Sequence, residues 1–308
     1  MQAELSVQIA GLTMQNPVGV ASGTFGFGQE YAQLLDLDAL GALYTKAITF
    51  EKREGNPAPR LFETPSGLLN SIGLANPGVV AFVEEKLPFL KTLHCSVVAN
   101  IAGSTEDEYC RVIQAIEEAA GPFGNGVDAY EINVSCPNVS HGGMSFGTEP
   151  SQVEKLTRKI STLTKRPVFV KLSPNVTDIA SIAIAAEQGG ADALTCINTV
   201  VGMAIDIENL KPRFARETAG LSGPAIRPVG VACVWKASRA VKIPVIGCGG
   251  ISSAEDAIEY LLAGAAAIQV GTAIFVDPEV PFKIKTGIAQ WMERKGIGSV
   301  NEIARILK

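Results

Sequence analysis

Residues 184–198 read IAAEQGGADALTCIN. A helical run ends in glycine, a short Ala/Asp linker follows, and a short apolar strand then closes on a polar residue. Related versions of the phrase occur at Leu34 to Lys46 (LLDLDALGALYTK), Ala115 to Asn133 (ending GVDAYEIN) and Ala257 to Thr272 (AIEYLLAGAAAIQVGT). Glycine suits the left-handed residue that closes a helix, and near-continuous apolar runs suit parallel strands covered on both faces. The phrases are therefore βα units of one sheet.

Filling the gaps predicts eight strands, at Val18–Ala21, Leu43–Lys46, Ser96–Ile101, Ala129–Val134, Val168–Leu172, Ala193–Ile197, Val245–Gly247 and Ala267–Val270. Amphipathic helices are expected between them, including Glu106–Ala120, Ser151–Thr164 and Asp178–Gly189. This pattern predicts an α/β fold of the (β/α)8 TIM barrel type, with residues 1–308 as a single domain. Leu5, Val7 and Ile9, then Gly11, then Leu12 and Met14 read as an N-terminal β-hairpin that plugs the barrel's bottom. Long excursions follow strand two (Thr49 to Pro77) and strand six (Val200 to Pro228), where upper-face loops usually build a site. After strand four, Pro137 to Thr148 is glycine-rich and is expected to act as a mobile lid.

Composition narrows the function classes. Hydrophobic residues make up 47% and charged residues 19%, as in a globular protein with a large core, and the formal charge of −5 offers no basic footprint for nucleic acid. No polybasic run, signal-peptide pattern or apolar stretch long enough to span a bilayer is present, so a cytoplasmic protein is expected. The six cysteines show no CxxC spacing and do not cluster with His94 and His141, so neither structural zinc nor an iron–sulfur cluster is expected in this chain.

Barrel sites are assembled at the carboxyl ends of strands. Here those ends read Ser22, Lys46, Asn100, Asn133 with Cys136, Lys171, Asn198, Gly247-Cys-Gly-Gly250 and Gly271-Thr272. Two lysines and several amides converging on one mouth exceed what a scaffold needs. In Tyr130 to Asn138 (YEINVSCPN) the strand must stop at Pro137, which presents Cys136 between the amides of Asn133 and Asn138 as a general base or a nucleophile. Gly249-Gly250 and Gly271-Thr272 match the phosphate-binding loops after strands seven and eight. With neither a P-loop nor a dinucleotide fingerprint, a mononucleotide-like ligand fits better. Lys171 would place positive charge beside a cofactor ring that gains negative charge on reduction.

These segments give the chain a resemblance, over nearly its whole length, to the dihydroorotate dehydrogenases, FMN-containing barrels of pyrimidine biosynthesis. The matching segments include ASGTFGFG at 21–28, TKAIT at 45–49, GNPAPR at 55–60, NSIGLANPG at 70–78, NVSCPN at 133–138 and HGGMSFGT at 141–148. They continue through VKLSPN at 170–175, INT at 197–199, LSGPAIRP at 221–228, GCGGI at 247–251 and VGTA at 270–273. Within the family the chain looks most like the catalytic subunit of the NAD-linked type (class 1B). The membrane-bound, quinone-linked class has Ser in place of Cys136, while the fumarate-linked class shares the cysteine but matches HGGMSFGT less well.

The resemblance implies oxidation of (S)-dihydroorotate to orotate, with Cys136 removing the C5 proton as hydride leaves C6 for FMN. It implies that Ser22, Lys46, Ala47, Asn100, Asn133, Lys171, Ile197, Gly223, Gly249, Gly250, Gly271 and Thr272 hold FMN. It also implies that Asn70, Asn133, Asn138 and Asn198 read the pyrimidine, with Thr199 beside them, while Lys46 and the segment Ser71, Ile72, Gly73 and Leu74 receive the substrate carboxylate. No metal is implied in this chain. NAD reduction would need a partner subunit carrying FAD and a 2Fe–2S cluster, in a heterotetramer built on a homodimer. The rival readings are the fumarate-linked class, a dihydropyrimidine dehydrogenase-like domain, a phosphosugar isomerase barrel and a non-catalytic binding barrel.

Overall fold

The computed structural model describes residues 3–135 and 146–307. Eight parallel strands close into a barrel: Val18–Val20, Ala42–Tyr44, Ser96–Ile101, Ala129–Asn133, Val168–Leu172, Ala193–Cys196, Val245–Cys248 and Ala267–Val270. They are called here barrel strands one to eight. Each pairs with the next, and strand eight closes on strand one with Ile268 opposite Val18 and Val270 opposite Val20. Strands three, five and eight match the expected ranges, and the others differ at their ends by a residue or two.

Helices cover the outside. Glu106–Ala120 starts where the Thr105 side chain accepts from the Glu108 amide, carries Glu106, Asp107 and Glu108 in its first turn, and stops at Gly121 with φ +73°. Pro150–Ser161 and Ile179–Gln188 follow strands four and five, the second capped by Asp178. Arg227–Ala240, Ala254–Leu262 and Val280–Lys295 complete the ring. Among the described residues, no helix is long and apolar enough to cross a membrane.

One expected helical run is absent. Between strands one and two, Leu34 to Leu40 holds only a 3-10 turn at Leu37–Ala39. The Asp36 carboxylate accepts from the Asp38 amide at 3.2 Å, a local bond that competes with helix, and Leu34 is left exposed.

The N-terminal hairpin pairs Val7–Ile9 with Leu12–Met14, burying Val7, Ile9, Leu12 and Met14. Leu12 and Thr13 share a cavity with Ser96 and Val97, so the hairpin sits under the amino-terminal ends of the strands. At the opposite end, the two long excursions join. Leu61–Thr64 and Gly67–Asn70 from the first, and Val200–Gly202 and Ala219–Ser222 from the second, form one four-stranded antiparallel sheet. Its central register pairs Asn70 with Gly220 and Leu69 with Leu221. Leu69, Phe214 and Ala219 give it a small core of its own, flanked by Phe62 and Leu221.

Close packing where the chain enters strand two sets a test of the fold. A Cβ on Gly41 would lie 2.0 Å from the Asn16 carbonyl oxygen and 3.0 Å from that of Val18, and neither can move without displacing strand one. Gly41→Ala should therefore cost about 1–3 kcal/mol. Urea unfolding followed by far-UV circular dichroism should show a lower midpoint, and an unchanged midpoint would contradict this packing.

Candidate active site

The barrel interior carries a polar floor. Glu131 on strand four is fully buried, and period-2 alternation puts it on the same face as Asn133. Its carboxylate accepts from Asn100 Nδ2 at 2.7 Å, Thr195 Oγ1 at 2.8 Å and Gln269 Nε2 at 2.7 Å. Lys171 Nζ lies 3.6 Å from the same carboxylate and donates to Ser22 Oγ and Gln269 Oε1, both at 3.2 Å. Asn100 Nδ2 also reaches Ser22 Oγ at 3.3 Å. These contacts join strands three, four, five, six and eight with Ser22, two residues beyond strand one, across the barrel's interior. Burial alone disfavours a charged Lys171, but the Glu131 carboxylate outweighs it, and the ammonium titrates above the ordinary lysine range.

A second cluster lies at the ends of strands four and six. Asn198 Nδ2 donates to Asn133 Oδ1 at 3.1 Å, and the Ser135 amide donates to that oxygen at 3.2 Å. The Thr199 amide donates to Asn198 Oδ1 at 2.8 Å, while Asn175 Nδ2 holds the Thr199 carbonyl at 3.0 Å. Asn70 joins them from the antiparallel sheet, because Gly220 accepts from Asn70 Nδ2 at 3.2 Å and leaves no room for a Cβ beside Thr199.

The glycine loops form a third group. Gly223, Gly249 and Gly250 have φ of +90°, +126° and +72°, which L side chains rarely adopt. A Cβ on Gly250 would meet the Arg227 amide at 2.7 Å and the Gly223 carbonyl oxygen at 2.8 Å. Tyr260 donates to the Gly249 carbonyl at 2.6 Å. Thr272 Oγ1 donates to Ser222 Oγ at 2.8 Å, tying the end of strand eight to the antiparallel sheet, with Gly271 just before it.

Lys46 is partly buried, lies near Gly23, and has no acidic partner among the described residues; burial lowers its pKa. Ala47 and Ile197 are buried at the ends of strands two and six. Ser71 to Leu74 is fixed by Asn56, whose side chain donates to the Ser71 carbonyl at 3.0 Å and whose amide donates to the Ile72 carbonyl at 3.0 Å. Within it Gly73 and Leu74 both take positive φ, +72° and +56°. Cys136, Asn138, His141 and most of the expected lid lie outside the described residues.

Glu131, Thr195 and Gln269 were not among the expected site residues, nor were Asn175 and Tyr260. The first three carried a legible signal, since each is a polar residue in the interior of a largely apolar strand, and a buried polar group needs partners. The arrangement fits a flat, partly anionic cofactor. Asn100 Oδ1 is buried with no hydrogen-bond partner among the described residues, so it can accept an N–H from a ligand. Lys171 adds fixed positive charge, and the glycine turns admit a group approaching the backbone closely. Among the described residues, no group of three or more His, Cys, Asp or Glu is placed to hold a metal.

The profile of the dihydroorotate dehydrogenase family matches residues 4–292. A Caldicellulosiruptor saccharolyticus protein described as dihydroorotate dehydrogenase B (NAD(+)), catalytic subunit, is 50% identical over 299 residues, covering 97% of each chain. A Thermoanaerobacter pseudethanolicus protein of the same description is 50% identical over 304 residues, covering 99% of each. The crystal structure of a dihydroorotate dehydrogenase from Eimeria tenella, in complex with ferulenol, shares the fold with a TM-score of 0.81 at 23% identity, covering 98% of this chain and 88% of that one. A near-complete profile match and relatives at half identity along their whole length, on a barrel with this polar floor, place the chain in the dihydroorotate dehydrogenase family.

Proposed function

We propose that this chain oxidises (S)-dihydroorotate to orotate in de novo pyrimidine synthesis, as the FMN-containing catalytic subunit of an NAD-linked dihydroorotate dehydrogenase. The observation that carries the reading is the floor itself. The Lys171 ammonium and the Asn100 amide share Ser22 and Glu131, Asn100 Oδ1 stays a free buried acceptor, and Asn133, in register with Lys171, pairs with Asn198. The relatives' shared description supports the NAD-linked type.

FMN held by Ser22, Lys46, Asn100, Lys171 and the glycine turns at Gly223, Gly249-Gly250 and Gly271-Thr272 supplies the hydride acceptor. The protein's own groups do the rest. Asn70, Asn133, Asn138 and Asn198 present donors and acceptors side by side to an imide edge. Lys46 and the Ser71 to Leu74 turn receive the substrate carboxylate, and the antiparallel sheet walls off one side of the mouth. Cys136 Sγ takes the proton from C5 of the substrate. Electrons leave this subunit for NAD through a partner subunit carrying FAD and a 2Fe–2S cluster, which accords with the word "catalytic subunit" in the relatives' descriptions.

The purified chain should absorb at about 450 nm and bleach on adding dihydroorotate. It should turn over with artificial acceptors and reduce NAD only when an FAD and iron–sulfur subunit is added. Turnover with fumarate would instead place it in the fumarate-linked class. Cys136→Ala should keep the flavin but slow its reduction by about 100-fold or more, the usual scale of a lost general base. Bleaching at the wild-type rate would remove Cys136 from the mechanism.

The pH dependence of substrate binding follows from Lys46. Only its ammonium attracts the carboxylate, and because its pKa is lowered, that charge is lost below the ordinary lysine value of about 10.4. KM for dihydroorotate should rise on the alkaline side before that point, while kcat should rise at lower pH, around the free-thiol value of about 8.5, and then level off. Lys46→Met should show a raised KM without this alkaline rise, and a variant whose KM equals the wild-type value and rises with pH in the same way would exclude the role.

A further inference from the structure

We propose that Glu131 is a positioning residue, whose carboxylate both orients the Asn100 amide and holds Lys171 as a cation in the site that would take the cofactor; this rests on the flavin reading above. The orientation follows from hydrogen-bond chemistry. An ionised carboxylate only accepts, so Asn100 must turn its NH2 toward Glu131, at 2.7 Å, which leaves Oδ1 as the unsatisfied atom. A glutamine at 131 would remove that constraint, because it can offer either a donor or an acceptor.

The charge follows from the surroundings of Lys171. Its neutral partners are Ser22 and Gln269, and neither compensates an ammonium taken out of water. Tyr44 on strand two and Cys248 on strand seven also face the pair, and burial raises both pKa values, which keeps both neutral. Glu131 is thus the anion that makes a charged Lys171 tolerable, and its own oxygens are satisfied within the protein by Asn100, Thr195 and Gln269. A floor fixed before the cofactor gains electrons needs no rearrangement when it does.

The test is the flavin reduction potential of the holoenzyme measured against pH, for wild type, Glu131→Gln and the double variant Glu131→Gln/Lys171→Met. Without the anion, desolvation should bring loss of the Lys171 proton down into the range of about pH 5–7, where fully buried lysines titrate. Reduction then draws that proton back, so the plot for E131Q should steepen over this window. Wild type should show no such added break, and the double variant should lose it. Weaker FMN binding by E131Q, by about tenfold, is the expected companion effect, as one misoriented hydrogen bond costs on that scale. Coincident plots for wild type and E131Q would overturn the role of Glu131 while leaving the flavin reading intact. A wild-type protein that takes up no flavin would overturn both.

Should E131Q not fold, infrared difference spectra of the wild type between oxidised and reduced flavin decide the matter. A positioning carboxylate stays ionised, so no protonated-carboxyl band that exchanges with deuterium should grow on reduction. Growth of a band assigned to Glu131 by isotope labelling would make it a proton acceptor and overturn the proposal.

Discussion

The site depends on one buried carboxylate. Glu131 gathers donors from strands three, six and eight and stands beside the Lys171 ammonium from strand five. Strands four and eight lie on opposite sides of the closed barrel, so the bond between Glu131 and Gln269 crosses its interior. A buried ion pair of this kind is not by itself a source of stability, because desolvation of both charges offsets their attraction. Replacing it with apolar side chains would suit the barrel's stability at least as well. Its presence is better explained by what it holds ready: a cation, an unpaired amide oxygen and a fixed hydroxyl at one level below the mouth.

The upper face is built by a different principle. The excursions after strands two and six would each be too short of apolar surface to order alone, since isolated hairpins are marginal in water. Pairing across 150 residues of sequence, as between Asn70 and Gly220, gives them a shared sheet with a small core around Leu69 and Phe214. The same pairing brings Asn70 beside Thr199, and the Thr272 to Ser222 hydrogen bond fastens that sheet to strand eight. Binding residues carried on loops are thereby held by a scaffold nearly as regular as the barrel itself.

The barrel and most of its strand bounds were legible in the chain, because strands covered on both faces must be apolar nearly throughout and glycine must close the helices that precede several of them. Glu106–Ala120 was readable to the residue, since Thr105 and Gly121 mark its ends chemically. Leu34 to Leu40 misled for the opposite reason: its apolar spacing suits a helix, but a local Asp36 bond and an exposed Leu34 leave only one 3-10 turn. The residues at strand ends were also legible as a set, since Ser22, Asn100 and Lys171 do converge in one hydrogen-bonded cluster.

By itself, then, the sequence determined the barrel, the hairpin beneath it and the polar rim of its mouth, because each is written in local periodicity and in residues that end strands. Only the tertiary structure decided how those residues are partnered. That Asn100 offers an oxygen and not an NH2, that Lys171 faces Glu131, and that two distant excursions share one sheet all depend on groups far apart in the chain. Hydrogen-bond direction and buried charge are properties of a three-dimensional neighbourhood, and periodicity along one strand carries no record of the strand opposite.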